Sequence, residues 1–144
     1  MSLDLPPWAA ELLRESRVGR LATADRTGRP LVVPVCYAFD GRACFSAVDA
    51  KPKRVPARML RRVRNIEANP QASLVVDRYD EDWSRLCWVI VQGRADVLTG
   101  GPEGAAALAL LGAKYAQYGA MALGPETTPV IRVAAERVML WRAD

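Results

Sequence analysis

The segment Lys51-Pro52-Lys53-Arg54 and the arginines after it are the residues best suited to chemistry. Residues 51–64, KPKRVPARMLRRVR, hold seven cations (Lys51, Lys53, Arg54, Arg58, Arg61, Arg62 and Arg64) and no acid. The 144-residue chain has a net charge of +4, and outside this stretch thirteen basic residues face sixteen acidic ones. The positive excess is therefore one patch, whereas nucleic-acid binders more often spread it along a face. A compact patch suits a compact anion. Two of the chain's three lysines lie here as point charges, and the arginines offer planar forks that grip two oxygens at once. A phosphate is the preferred occupant. The alternative is a solvated helix face whose arginines pair with carboxylates such as Asp77 and Glu81.

No other residues compete as a reactive centre. The chain has no histidine, which excludes a histidine base, a Ser-His or Cys-His pair and imidazole-ligated zinc or heme. Cys36, Cys44 and Cys87 lack metal-ligand spacing and read as buried free thiols. A two-residue turn at Asp40-Gly41 would set Cys36 opposite Phe45 and Cys44 opposite Tyr37, so these cysteines are not cross-strand partners.

The elements that position the patch follow from periodicity. Residues 7–16 read as a helix with Pro7 in its first turn, where a missing N–H costs nothing. Strands are expected over 17–24, 29–39 and 42–48, joined by Asp25-Arg26-Thr27-Gly28 and by Asp40-Gly41, as an antiparallel meander. In residues 55–70 Met59, Leu60, Val63 and Ile66 follow helical spacing, and Asn69-Pro70 ends the helix. Strands over 72–79 and 85–99 flank an acidic turn at 80–84, with Gly93 a bulge or close-approach point. An alanine-rich helix over 102–121 and a strand over 129–142 complete a single domain, 1–144. The fold class is mainly β: a small six-stranded antiparallel β-barrel with flanking helices, of the split type that a family resemblance implies. No apolar run is long enough for a membrane helix and the start lacks a secretory pattern, so the cytoplasm is the expected location.

Three stretches carry a resemblance: RVGRLATADRTGRPLVVPVCYAFDGRACFSAVDAKPK, RRVRNIEANPQASLVVDRYDEDW and VIVQGRADVL. In order and spacing they resemble the pyridoxamine 5'-phosphate oxidase-like, FMN-binding split-barrel superfamily over roughly residues 11–99 and the last strand. DRYDEDW and the RRVRNIEANP helix are most similar to its deazaflavin-dependent branch, whose cofactor is coenzyme F-420. The resemblance implies a homodimer with the ring in a groove between two barrels. It places the phosphate on Lys53, Lys51 and Arg62, with Arg58, Arg61 and Arg64 as alternatives to Arg62. It sets Val33, Pro34, Val35 and Cys36 along the ring, and Ser46, Ala47 and Val48 against ring and ribityl chain. Trp83 from the partner subunit would cover the ring, with Gln92 on the same side. Trp88 and Trp141 read as packing residues.

The implied function is hydride transfer between bound F-420 and a small electron-poor substrate. The alternatives are an FMN oxidoreductase on the same barrel, or a non-enzymatic cofactor- or anion-binding barrel. Pyridoxamine phosphate oxidation and heme degradation are disfavoured by the missing histidines, and the former also by the ending ERVMLWRAD. Tyr79 is a candidate proton donor.

Overall fold

The computed structural model describes residues 3–48, 60–121 and 123–144. In chain order the elements are α1 (Pro7–Glu15), β1 (Gly19–Ala24), β2 (Pro30–Val35), β3 (Ala38–Phe39), β4 (Ala43–Ala47) and α2 (Arg61–Ala68), followed by β5 (Gln71–Arg78), β6 (Cys87–Leu98), α3 (Gly101–Lys114), α4 (Ala116–Ala120) and β7 (Val130–Arg142). The strands form one antiparallel, curled sheet in the order β2-β1-β5-β6-β7-β4-β3.

The end strands β2 and β3 are successive pieces of the chain, parted only by Cys36 and Tyr37. The expected strand over 29–39 thus breaks in two, giving seven strands instead of six. Its first half pairs with β1 and its second with β4. Both pairings of the expected meander exist, but at opposite ends of the sheet, and this is how the sheet curls into a split barrel.

Alternation decides which side faces the core, because successive strand residues point to opposite faces. Leu21, Leu74 and Val91 lie in one cross-strand row and Val76 and Val89 in the next, all essentially inaccessible. Leu12 and Leu13 of α1, and Val63 and Ile66 of α2, join the same cluster. A second cluster forms where Ala107, Leu108 and Leu111 of α3 meet Ala38, Phe45 and Ala47. β4 is consequently buried on both faces.

Several turns match their sequence signals. Asp25 Oδ1 accepts hydrogen bonds from Thr27 N–H, Thr27 Oγ1 and Arg29 N–H, and Gly28 takes a φ of 90°. The register between β6 and β7 shifts at Gln92/Gly93, where a Cβ on Gly93 would lie 1.7 Å from Ala134 O. Only glycine fits there, as expected.

Two readings need correction. Phe39 pairs with Cys44 and Ala38 with Phe45, so Cys44 does not face Tyr37, nor Cys36 Phe45. The Asp40 carboxylate accepts from both Arg42 N–H and Ala43 N–H, and this longer, self-bonded loop displaces the register by two residues. All three cysteines are free. The alanine-rich helix also does not run unbroken to 121. It stops at Tyr115, which is extended (φ −118°, ψ 109°), before the short α4.

No helix among the described residues is long and apolar enough to cross a membrane.

Candidate functional site

Lys51, Lys53, Arg54 and Arg58, the centre of the expected phosphate site, lie outside the described residues. The arginines of α2 are described, and helical phase separates them. Arg61 and Arg64 are exposed and Arg62 is half-buried. At about 100° per residue, Arg62 points to a different arc from Arg61 and Arg64, which lie three apart on one side. The alternative pairing of the arginines with Asp77 meets a competitor, since Arg20 Nη1 lies 3.8 Å from the Asp77 carboxylate. α2 begins without a side-chain cap, leaving its first N–H groups and the positive end of its dipole available to an anion.

The other expected site residues fall into three places. Ser46 and Ala47 on β4, and Val48 just after it, are buried with 5%, 5% and 3% of their surface exposed. Val33 and Val35 point inward on β2, whereas Pro34 lies on the outer face beside Val32, itself 62% exposed. Gln92 is half-buried on that outer face, in the cross-strand row of Val32, Ala22, Ser73 and Arg137. A cleft of about 390 Å³ opens there, with Gln71, Ser73, Gln92, Glu136 and Arg137 among its polar lining beside Ala22 and Ala24. Trp83 stands in a 3-10 turn, Trp83–Arg85, and is 69% exposed. Tyr79 is also exposed. Asp82 fixes the turn by accepting from Ser84 N–H and Oγ, which holds its carboxyl below the usual range.

Beyond this cleft the sheet's outer face combines large apolar residues with the exposed Arg20–Asp77 ion pair. Pro34, Val75, Ile90 and Met139 share one side with Trp88 and Trp141, and Trp141 is 43% exposed.

A polar cluster that the sequence did not reveal closes the seam between β2 and β3. The Tyr115 hydroxyl accepts from Tyr37 N–H (3.0 Å) and lies within donating distance of Tyr37 O (3.0 Å) and Arg17 O (2.9 Å). The Lys114 amine sits 4.1 Å from the Tyr37 ring centre and 5.4 Å from that of Tyr115. It is covered, with no hydrogen-bond acceptor among the described residues. Burial pushes this amine down to about 8, with Arg17 adding to the fall. Burial raises the Tyr37 phenol and lifts the Cys44 thiol to about 12. The signal was present as the third lysine, in AKYAQYG, but only the fold puts it against Tyr37.

A curled antiparallel split barrel with flanking helices defines a class of small β proteins. The pyridoxamine 5'-phosphate oxidase family model matches residues 5–142, and the chain belongs to that family. No curated protein matches it in sequence. Solved structures share its fold. HutZ, a heme storage protein from Vibrio cholerae, aligns with a TM-score of 0.73 at 20% identity, over 97% of this chain and 95% of its own. An F420 reductase aligns with a TM-score of 0.66 at 24% identity, over 94% and 98%. An FAD-binding protein from Mesorhizobium loti gives 0.66 at 24%, over 93% and 92%.

Proposed function

We propose that this chain is an oxidoreductase that binds coenzyme F-420 and passes hydride between it and a small electron-poor organic substrate. The observation that carries the reading is the run of seven cations from Lys51 into α2, on a barrel of this family. That an F420 reductase and an FAD-binding protein share the fold supports a flavin-type cofactor. A heme reading, suggested by HutZ, lacks an imidazole ligand in a histidine-free chain.

The residues fit a phosphorylated ring. Lys53, Lys51 and Arg62, with Arg58 beside them, would neutralise the phosphate together with the uncapped start of α2. Pro34 and Cys36, with Ser46, Ala47 and Val48, would set the ring's plane. A second copy laid on the outer face would bury Val32, Ile90, Met139 and Trp141, and bring Trp83 and Gln92 to its partner's cofactor. A bound deazaflavin would supply the hydride chemistry itself; the protein's part is to orient the ring and keep water out.

Titrating the purified protein with F-420 and, in parallel, FMN, while following tryptophan fluorescence, tests the reading. Micromolar F-420 binding with much weaker FMN binding is expected. The reverse order would make the chain an FMN protein, and binding of neither would leave a non-enzymatic anion-binding barrel. Replacing Lys53 and Arg62 together by alanine should weaken binding at least tenfold while leaving the barrel folded. Unchanged affinity would reduce the patch to a solvated face.

A further inference from the structure

We propose that the cleft between the β1–β2 turn and α2 is a second anion site, for a group carrying two or more negative charges. Phosphate monoesters, diphosphates and paired carboxylates share the required chemistry. The cleft has a volume of about 410 Å³, within the range of small-molecule pockets. Arg26 enters it from the turn, and Arg61 and Arg64 from the helix.

These three guanidinium groups have no ion-pair or hydrogen-bond partner among the described residues. The one carboxylate in the cleft is Asp25, and its Oδ1 is held within its own turn by Thr27 N–H at 2.8 Å, Thr27 Oγ1 at 2.7 Å and Arg29 N–H at 3.0 Å. Those bonds lower its pKa, so it stays charged, and the cleft keeps two uncompensated positive charges. A dianion would balance them; a monoanion would not. Three cations facing one another across a gap otherwise repel, and guanidinium forks are suited to bridging the oxygens of phosphate or carboxylate.

The cleft's walls are fixed, unlike those of a loose surface patch. Asn65 Nδ2 donates to Thr23 Oγ1 at 3.1 Å, both residues being buried, and Asn69 Nδ2 donates to Asp25 O at 3.3 Å. These two bonds, one helical turn apart, pin α2 to the first hairpin. Arg62, to which the proposed function assigns the cofactor phosphate, lies on another arc of the helix and does not line the cleft. The anion has two sources: a free phosphorylated or polycarboxylate metabolite, or the far, anionic end of an extended cofactor whose phosphate sits at Arg62.

Inorganic pyrophosphate is the probe. Calorimetric titration and melting curves would be measured at constant ionic strength, adjusted with sodium chloride, for the wild type, R61Q/R64Q and R26Q. Pyrophosphate should bind and raise the melting temperature of the wild type. Affinity should fall about tenfold for each arginine removed, with the melting temperature in chloride unchanged. Should the double variant be unstable, R26Q, on the other wall, decides alone. Loading with F-420 then separates the sources. Competition with pyrophosphate, together with weaker F-420 but not FMN binding in R61Q/R64Q, assigns the site to the cofactor's far end; undisturbed pyrophosphate binding assigns it to a free metabolite. Pyrophosphate binding that is equal in wild type and variants, or no stronger than the effect of chloride, overturns the proposal.

Discussion

Replacing Tyr115 by phenylalanine removes one oxygen and leaves the rest of the seam in place. Arg17, 4.6 Å from the ring centre, keeps its cation–π contact, because phenylalanine offers the same aromatic face. What disappears is the acceptor for Tyr37 N–H and the donor to Tyr37 O or Arg17 O. A hydroxyl has one proton, so it makes one bond as acceptor and one as donor, not three. Each contributes ~1 kcal/mol net, and an orphaned main-chain group costs ~1–3 kcal/mol if water cannot reach it. The seam is only part-buried, so water recovers some of this, and the expected loss is ~1–2 kcal/mol. At a urea dependence of ~2 kcal/mol per molar, the unfolding midpoint should drop by ~0.5–1 M. Amide exchange at Tyr37 should quicken by about tenfold or more, while exchange in the β5–β6 core stays as it was. A midpoint and a Tyr37 exchange rate that both match the wild type would refute the argument, showing that water substitutes for the hydroxyl at no cost.

Two further perturbations probe the fold. Gly93→Ala must push Ala134 O away by more than 1 Å, since a Cβ would lie 1.7 Å from it; the expected destabilisation is ~3 kcal/mol, read by thermal melting, and a near-neutral result would mean the bulge slides freely. Lys114→Met tests the covered amine through pH. With its folded pKa depressed to about 8 against an ordinary 10.5, Lys114 is charged in both states below pH 8, and folding then bears the cost of burial. Between about pH 8 and 10.5 the unfolded chain holds more protons, so stability rises with pH in the wild type. The methionine variant lacks this rise and should be the more stable below pH 8. Lys114 is only half-buried as a residue and its contact with Tyr37 is attractive, so the screened difference is ~1 kcal/mol rather than the full linkage. Cys44, raised to about 12, gives an opposite slope above pH 9, and because the Lys114 charge lowers that thiol, its removal extends the slope in the variant. A constant gap from pH 7 to 10.5 would count against a covered, charged Lys114.

What was legible in the sequence was what depends on neighbours along the chain. Strand-forming runs marked β5, β6 and β7, Asp25 through Gly28 announced a turn, and Gly93 marked a close approach. The breaks at Cys36-Tyr37 and at Tyr115 were invisible because each stabilises the other. A hydroxyl 78 residues away satisfies the main chain of Tyr37, which no local pattern encodes. The β3–β4 register went astray for a smaller reason, the two bonds accepted by Asp40. At the candidate site, charge density was readable and direction was not. Seven cations announce an anion, but dividing Arg62 from Arg61 and Arg64 requires the phase of α2 against the barrel.

The order of the strands also sets a schedule. β4, with Ser46 and Ala47, pairs only with the two-residue β3 and with β7, and Cys44 finds Val133 across 89 positions of chain. β1, β5 and β6 can assemble during synthesis from pieces already made. β4 cannot, and it waits through the whole of α3 and α4 for the last strand to emerge. β4, the strand ahead of the basic stretch, is therefore not paired with β7 until the chain is almost finished. On the proposed reading, cofactor capture would be a late event in the protein's life, and a chain stopped short of residue 130 would lack the strand that β4, just ahead of the basic stretch, pairs with.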